Sequence, residues 1–445
     1  MQVILLAAGQ STRLSPIEDK NLLEFAGKTL IEYQVTALKQ AKLRDIVVVG
    51  NKHNLKRITT VLKGYKNVAV TEQKDLEEGM KGGVLAGAKV VGHKNVLVMS
   101  TNDVFDVKLF EDMIQASKQK DVDGVIAGKK VNSYFPGGYL KLDKKGFLTD
   151  VIEKPGEGKE PGNLVNLVCH IYNDFPKFTK YLKDVKSKRD DKYEVALDNY
   201  IKKGKARMLV QAYKGEWRAI KYPWHILQLM NHFLETQTAE LTKGKPKIDR
   251  SAKIAKSAVI EGDVIIEKGV KVLHNAVIKG PAYIGEGSVI ANNALVRNSM
   301  IGKNCVIGYC TEVARSYLNH DVWMHSNYLG DSIIDHNVSL GAGTVLGNLR
   351  FDEKTIKVNV KKERIDTGMN KLGAIIGSGA RFGINSSTNP GVKIGKDCFI
   401  GGNVLVEKDV EDGKLVLLDN KLKITYNHSP VSIKDRSEMK KNLRK

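Results

Sequence analysis

The sequence predicts an α/β protein in two unlike parts, an N-terminal domain built on a parallel sheet and a C-terminal parallel β-helix. Over the first 230 residues, short β-branched runs alternate with helical patterns, as in strand–helix–strand units. After Lys253 an aliphatic residue recurs every six positions, a period that neither a helix nor a simple strand produces. We therefore divide the chain into residues 1–230, a helix and linker over 231–252, the β-helix over 253–412, and a C-terminal extension over 413–445.

Five buried strands are predicted in the N-terminal domain, because five β-branched runs are bounded by Gly, Asn or Asp. They are VILLAAG, DIVVVGN, NVAVTEQ, NVLVMSTND and VDGVIAG. Between them, LIEYQVTALKQAK and KLFEDMIQASKQ carry apolar residues at helical spacing, and residues 226–243 have a helical pattern as well. Parallel sheets bind ligands at the carboxyl ends of their strands, so a site is expected in the loops there.

The repeat of six in the C-terminal half predicts triangular coils, each with three six-residue sides. The aliphatic residues should point inward: Ile254, Ile260, Ile266, Val272, Ile278, Ile284, Ile290 and Val296. Small or β-branched residues follow four positions later, where the corners are expected. The register slips by one before Ile301, and segment 348–372 interrupts the repeat, as loops over the binding face of a solenoid do.

Composition excludes several classes of protein. Apolar residues make up 42% and charged residues 27% of the chain, and the sequence has no apolar run long enough to span a membrane. The start MQVILLAAGQSTRL has no basic leader, so we expect a cytoplasmic protein. The 4 cysteines form no CxxC pair, which argues against a zinc ribbon or a disulfide framework. We interpret the net charge of +21 and the basic tail Ser432–Lys445 as solvated surface, and nucleic acid is not an expected partner.

A candidate anion site directly follows the first predicted strand. The segment LAAGQSTRLSPIEDK contains Gly9, Ser11, Arg13 and Lys20. Backbone N–H groups of such a turn, an arginine fork and a lysine all suit phosphate oxygens, although the same pattern also occurs in plain loops. The segment is neither a Walker A loop nor a dinucleotide-binding GxGxxG motif.

This segment resembles the signature of sugar-1-phosphate nucleotidylyltransferases, and the similarity extends over about residues 1–230. The resemblance implies a Rossmann-like nucleotidyltransferase domain that uses NTP and Mg²⁺. It makes Arg13 and Lys20 catalytic and Asp103, in STNDVFD, the magnesium ligand. It also gives substrate contacts to Gly9, Ser11, Gly79, and the Glu153 and Lys154 of an EKP motif, and it is supported by matches at Trp217 and Tyr222-Pro223-Trp224.

The implied reaction is in-line attack of a sugar-1-phosphate oxygen on the α-phosphorus of NTP, with release of pyrophosphate. The chain departs from the family pattern at four positions. Ser11 replaces a Gly, Asp19 a Pro, Asn102 a Gly, and Ala219 the usual second metal-binding Asp. A metal held by Asp103, nucleotide phosphates and water could still work, and equally the activity could be weak, altered or lost.

Residues 322–348 contain His-x-x-Tyr-Leu-Gly-Asp before a GAGT turn, which resembles the acetyltransferase half of bifunctional glucosamine-1-phosphate acetyltransferase/uridylyltransferases. The sequence from Asn348 to Asn385 resembles the archaeal-type members. The hexapeptide pattern resembles the left-handed parallel β-helix of acyltransferases, whose prisms favour trimers. These resemblances imply acetyl-CoA as cosubstrate, His325 as catalytic base, and substrate contacts from Tyr328, Asn348, Lys354 and Lys357. A histidine near its neutral pKa is the natural base for an ammonium group.

Three interpretations follow. The main one is a bifunctional, homotrimeric enzyme that uses sugar phosphates, NTP and acetyl-CoA. The second keeps the acetyltransferase and has a degenerate nucleotidyltransferase domain. The third is a non-enzymatic scaffold resembling translation-factor exchange subunits. A zinc carbonic anhydrase uses the same β-helix, but beyond His320 and His325 the repeat supplies no third histidine in phase.

Overall fold

The N-terminal domain is built on one mixed sheet. This computed structural model describes residues 1–187, 191–419, 424–427 and 429–443. Four parallel strands lie side by side in the order Val68–Glu72, Asp45–Gly50, Gln2–Leu6 and Val96–Ser100. The sheet continues with Leu164–Tyr172, which is antiparallel to Val96–Ser100, and then with Gly124–Lys130, Met208–Ala212, and the pair Gly138–Leu142 and Leu148–Glu153.

All five predicted strands are confirmed, and the fifth, Gly124–Lys130, runs in the same direction as the other four, but the antiparallel strand Leu164–Tyr172 separates it from them. The predicted helices are also present. Leu30–Gln40 begins with a capping box, in which Thr29 and Glu32 bond to each other's backbone N–H groups. The other helices are Leu55–Leu62, Gly79–Ala88, Val107–Ser117, Phe175–Asp184, Lys192–Lys202, His225–Phe233, Ala239–Thr242 and Ile433–Leu443, with a π-helical turn at Leu234–Thr238 and 3-10 turns at Thr12–Leu14 and Lys20–Leu22.

The C-terminal domain is the predicted triangular prism, with three parallel sheets as its faces. The first face has strands Lys247–Ile248, Val264–Ile266, Ala282–Ile284, Met300–Ile301, Tyr317–Leu318, Ile333–Ile334, Ile375–Ile376 and Lys393–Ile394. The second has Lys253–Ile254, Lys271–Val272, Val289–Ile290, Val306–Ile307, Trp323–Met324, Ser339–Leu340, Arg381–Phe382, Phe399–Ile400 and Leu415–Val416. The third has Val259–Glu261, Val277–Lys279, Leu295–Arg297, Glu312–Ala314, Tyr328–Gly330, Val345–Leu346, Ser387–Thr388 and Leu405–Val406.

The repeat of six governs the interior of the prism, as predicted. The inward aliphatic residues, from Ile266 to Ile400, form one continuous apolar core. The register slip shortens the coil by one residue, so that Tyr283 pairs with Met300. The predicted interruption is an excursion containing the antiparallel hairpin Lys357–Val360 and Glu363–Asp366, after which Ile375 pairs with Ile333.

The two domains share an apolar junction. The helix His225–Phe233 and the loop that follows the first strand both pack on the first face of the prism. The Phe25 ring lies between those of Phe233 and Tyr317, with centroid distances of 5.1 and 5.6 Å. This loop, residues 7–29, is called the phosphate loop below.

The basic tail contributes the helix Ile433–Leu443, whose Ile433 and Met439 side chains are exposed. Residues 188–190, 420–423, 428 and 444–445, part of the predicted C-terminal extension among them, lie outside the described residues. Within the described ranges, every helix is too short or too polar to cross a membrane.

Candidate active sites

The N-terminal domain has a cleft where the strands Gln2–Leu6 and Val96–Ser100 end. It consists of two adjoining cavities of about 800 and 290 Å³. The larger is lined by Gly9 and Gly79, and the smaller by Arg13, Asp103, Glu153 and Lys154. Both include Ser100, Asn102 and Lys192 in their walls, so they form one continuous site at the predicted edge of the sheet.

Lys20 lines neither cavity, but it is buried next to the cleft, close enough to Asp103 and Arg13 for their charges to act on it. Burial lowers the pKa of its ammonium to about 8, and the nearby Asp103 carboxylate opposes this fall. Arg13 is also close enough to affect Lys20. The structure thus places Lys20 near Arg13 and Asp103.

Ser11 is strained where the family has a glycine. Its φ of 53° lies in the left-handed region, which glycine adopts without steric cost. Its Oγ is inaccessible to solvent and has no hydrogen-bond partner among the described residues. A substrate contact by Ser11 would therefore come from its backbone N–H, not from the hydroxyl.

Asp19, another departure from the family, holds the phosphate loop in place. Its Oδ1 accepts a hydrogen bond from Asn21 Nδ2 at 2.7 Å, and its Oδ2 accepts one from Asn54 Nδ2 at 2.7 Å. The same two amides donate to Ala7 O, while Asn51 Nδ2 donates to Ala8 O at 2.9 Å. The loop backbone is thus fixed by side-chain amides, which a proline at position 19 could not engage.

Asp103 is a buried carboxylate, 9% exposed, held by one side-chain hydrogen bond. Trp217 Nε1 donates to its Oδ1 at 2.8 Å. Burial raises the pKa of Asp103, and Trp217, Lys221 and Lys20 oppose the rise. Ala219 lies directly opposite Asp103 in a two-stranded antiparallel pair, so the family's second carboxylate would face the first.

Lys221 lies in the smaller cavity and was missed by the sequence analysis. Its Nζ lies 3.3 Å from the centroid of the Phe135 ring and donates to Pro136 O at 3.2 Å. Burial lowers its pKa to about 8, and Asp103 opposes that fall. The only signal in the sequence was the unusual run EWRAIKYPWH, where a lysine comes two positions after the missing carboxylate.

A hydrogen-bonded chain behind the cavity orients Asn166, a second residue missed by the sequence analysis. The Tyr172 and Tyr193 hydroxyls lie 2.6 Å apart, and Tyr193 OH lies 2.7 Å from His170 Nδ1. His170 Nε2 is 2.9 Å from Asn166 Oδ1. Burial lowers the pKa of His170 to about 3, so the ring is neutral. Nε2–H must donate to the Asn166 oxygen, which leaves the amide N–H groups of Asn166 for the cavity.

The Glu153 and Lys154 pair lines the same cavity. Lys154 Nζ lies 2.9 Å from Glu153 Oε1, and the backbone N–H of Lys154 donates to Gly137 O at 3.1 Å. The wall of this sugar-sized cavity therefore contains one hydrogen-bond acceptor, the Glu153 carboxylate, and one cation, the Lys154 ammonium, side by side.

On the prism, His325 is exposed at the corner between the second and third faces. Its backbone is fixed, because its N–H donates to Asn327 Oδ1 at 2.8 Å and its carbonyl accepts from Thr311 Oγ1. Tyr328 begins the next strand. Its hydroxyl and Asn348 Nδ2 both lie close to Gly330, because a Cβ atom added to this glycine would be 2.7 Å from the hydroxyl and, by the same measure, too close to Nδ2 to fit.

Asn348 is held by a row of hydrogen-bonded side chains that follows one corner of the prism. Arg315 Nε and Nη2 donate to the two oxygens of Asp331 at 2.7 Å, and Asn348 Nδ2 donates to Asp331 Oδ2 at 2.6 Å. The structure thus brings Tyr328 and Asn348 together. Lys354 and Lys357 are exposed on the excursion that interrupts the repeat.

Comparison with known proteins covers both halves of the chain. The MobA-like NTP transferase domain family matches residues 3–160, and the GMPPB C-terminal domain family matches residues 242–366. A bifunctional sugar-1-phosphate nucleotidylyltransferase/acetyltransferase of Sulfurisphaera tokodaii is 33% identical over 426 residues, which are 93% of this chain and 99% of that protein. The chain belongs to this bifunctional family.

Two further relatives are named bifunctional protein GlmU. The protein of Methanocaldococcus jannaschii is 31% identical and covers 94% of this chain and 97% of its own length. The protein of Buchnera aphidicola is 25% identical and covers 93% of this chain and 94% of its own length. Members of the family thus match the chain across both domains, in agreement with the resemblance found in the sequence.

His320, one of the two histidines considered for zinc, makes contacts at the domain junction. The backbone N–H of Lys303 donates to His320 Nδ1 at 2.9 Å, and His320 Nε2 lies 3.2 Å from Glu24 Oε1. Both ring nitrogens are therefore used at the domain junction. No group of three or more His, Cys, Asp or Glu side chains suited to a metal ion occurs in the described part of the chain.

Proposed function

We propose that the N-terminal cleft transfers a nucleotidyl group from NTP to a sugar-1-phosphate, and that the His325 surface acetylates an amino-sugar-1-phosphate with acetyl-CoA. The observation that supports the first activity is that Arg13 and Asp103 line the same cavity and that Lys20 is buried close to both. A scaffold would have no use for cations held at the cost of their burial. This favours an enzyme over the scaffold interpretation.

In the nucleotidyl transfer, an oxygen of the sugar phosphate attacks the α-phosphorus, a new P–O bond forms, and the bond to the pyrophosphate leaving group breaks. Gly9 and Gly79 line the larger cavity, which suits the nucleotide. Glu153, Lys154 and Asn166 line the smaller one, which suits the sugar phosphate. Arg13 and Lys20 stabilise the charge that develops on the triphosphate.

Asp103 fits Mg²⁺ as a single protein ligand. One carboxylate oxygen is engaged by Trp217, the other is available, and Ala219 offers no ligand. Mg²⁺ commonly takes one or two carboxylates and completes its shell with substrate phosphates and water, so this donor set suffices. When bound, the ion would neutralise the phosphates and withdraw electrons from phosphorus.

In the acetyl transfer, His325 takes a proton from the ammonium of the amino sugar, and the freed nitrogen attacks the thioester carbonyl of acetyl-CoA. The carbon–sulfur bond breaks as the C–N bond forms, and the second proton lost by the nitrogen passes to the sulfur, so that CoA leaves as the free thiol. Tyr328 and Asn348 would hold the sugar, and Lys354 and Lys357 its phosphate.

The two activities are tested on the same preparation. Each NTP is incubated with several sugar-1-phosphates and pyrophosphate is followed, while thiol release from acetyl-CoA is followed with glucosamine- or galactosamine-1-phosphate. Arg13→Ala and Lys20→Ala should lower pyrophosphate release by about 100-fold or more and spare thiol release. His325→Ala should do the reverse, with a loss of about 100- to 10,000-fold. Unchanged thiol release would reject His325 as the base.

We also propose that the chain assembles as a homotrimer through the prism. The second face has exposed apolar side chains at Trp323, which is 56% exposed, and in two successive strands further along the face at Phe399 and Leu415, which are 54% and 64% exposed. Exposed apolar patches of this kind mark interaction surfaces. Light scattering should give about three times the 49.2 kDa of the chain, and a monomeric mass would contradict the proposal.

A further inference from the structure

The smaller cavity of the N-terminal cleft has one cation whose role is unexplained. Four lysines line it, and three of them make ion pairs: Lys154 with Glu153, and Lys81 and Lys192 with Glu78. Lys221 makes no ion pair with a carboxylate of the described ranges. Its ammonium has three donors, of which Pro136 O accepts one and the Phe135 ring faces another, so one remains for a ligand.

The charges around Lys221 indicate what kind of ligand that is. Arg13 and Lys154 repel it, while Asp103 and Glu153 attract it. Arg13 and Lys154 line the smaller cavity together with Lys221. Arg13 is the residue proposed above to act on the triphosphate and Lys154 the one proposed to act on the sugar phosphate, so Lys221 lies among the cations that would meet both. Cations gathered in a partly buried cavity repel each other, and a polyanion relieves that repulsion.

The position of Lys221 in the chain points the same way. Ala219 faces Asp103 across the two-stranded pair, and Ala219 and Lys221, two residues apart, line the same cavity. A carboxylate at 219 would hold a metal ion from the second side. This chain has instead a methyl group at 219 and an ammonium two positions later, so a positive charge is built into the protein there.

We propose that Lys221 binds the phosphate oxygens at the reaction centre, on the side of Asp103 where Ala219 provides no metal ligand. The proposal rests on the nucleotidyl transfer proposed above and adds a phosphate-binding residue to it. The Phe135 ring and Pro136 O already hold the Lys221 side chain in one conformation. Phosphate binding therefore does not include the entropic cost of ordering this side chain. Its charge lowers the demand for Mg²⁺ in substrate binding.

The test measures binding of glucose-1-phosphate by calorimetry in the absence of divalent ions, on the full chain. Lys221→Met, which keeps the length and packing of the side chain, should weaken binding by about 10- to 100-fold, as expected for a charge-assisted hydrogen bond. Lys221→Arg should restore most of the affinity. Lys129→Met is the matched control, because Lys129 also lies over an aromatic ring, Tyr213, and donates to a carbonyl, Gly215 O, but is outside the cavity.

A second readout uses the Mg²⁺ dependence of pyrophosphate release. Lys221→Met should raise the Mg²⁺ concentration for half-maximal rate by about tenfold, and adding Ala219→Asp should bring it back down. The proposal is overturned if Lys221→Met binds glucose-1-phosphate within twofold of the parent, or if the parent shows no metal-free binding at millimolar concentration. Phosphate binding that depends on Lys221, with no pyrophosphate release from any NTP, would reject nucleotidyl transfer and retain the anion site.

Discussion

Glu24 links the phosphate loop to the prism, and its removal should destabilise the protein in a pH-dependent way. Its carboxylate lies 3.0 Å from Lys303 Nζ and 3.2 Å from His320 Nε2, and its side chain is 23% exposed. Burial alone would raise the pKa of Glu24, but the hydrogen bond from His320 and the contact with Lys303 outweigh it and lower the pKa to about 2.

The pKa gives the size and the sign of the effect. A fall from 4.5 to about 2 corresponds to about 3 kcal/mol of stability. Because the folded pKa is depressed, this contribution is complete above the unfolded pKa of 4.5 and is lost as the pH falls through about 2. Glu24→Gln should therefore cost up to about 3 kcal/mol at pH 7 and about half of that at pH 3.

The measurement is urea unfolding of Glu24→Gln and the parent at pH 7, 4 and 3, with the difference between them as the quantity of interest. That difference matters because other groups also titrate: the neutral His170, whose pKa lies near 3, lowers stability as the pH falls below 6.5. Glu261→Gln is the control, since Glu261 and Lys279 form an exposed pair at 3.8 Å that should contribute less than about 1 kcal/mol. A Glu24→Gln difference equal to that of the control, or constant with pH, would refute the reasoning.

The strain at Ser11, the buried hydrogen bonds of Tyr193 and the basic tail can each be tested by a substitution or a deletion. Ser11→Gly should stabilise the protein by about 1 kcal/mol in urea unfolding, because it removes a left-handed serine and a buried hydroxyl without a partner; a loss of stability would contradict this. Tyr193→Phe should lower the free energy of unfolding by about 2–3 kcal/mol and Tyr172→Phe by about 1 kcal/mol, because the Tyr193 hydroxyl bonds to both Tyr172 and His170. Equal losses would contradict a hydrogen-bonded chain in which Tyr172 donates to Tyr193 and Tyr193 donates to His170. Deletion of residues 432–445 should leave pyrophosphate and thiol release within twofold of the parent, and a large loss would place the tail in a site.

The prism was predictable in detail because its period is written directly in the sequence. Each inward residue, such as Ile278 or Ile290, meets the equivalent residue of the next coil, so a local pattern determines the long-range pairing. The parallel strands of the first domain were predicted for a similar reason, since their β-branched runs are buried on both faces. The reversed strand Leu164–Tyr172 was not predicted, because its place between Val96–Ser100 and Gly124–Lys130 depends on pairing with segments distant in the chain.

The meeting of Arg13, Lys20 and Asp103 was anticipated through a motif, whereas the roles of their neighbours were not. Asp19 and Ala219 looked like defects in the sequence alone. In the fold, Asp19 accepts hydrogen bonds from Asn21 and Asn54, and Ala219 faces Asp103 with Lys221 close by. These partners are distant in the chain, and no local pattern encodes them.

The two architectures, their order and the bifunctional family can be recognised in the amino-acid sequence, because each depends on residues that are close together in the chain or on a repeat. The attachment of the phosphate loop to the prism through Glu24, and the lysine beside the position of the missing carboxylate, become visible in the fold alone. Both depend on side chains that folding brings together from distant segments, where burial and neighbouring charges set their chemistry.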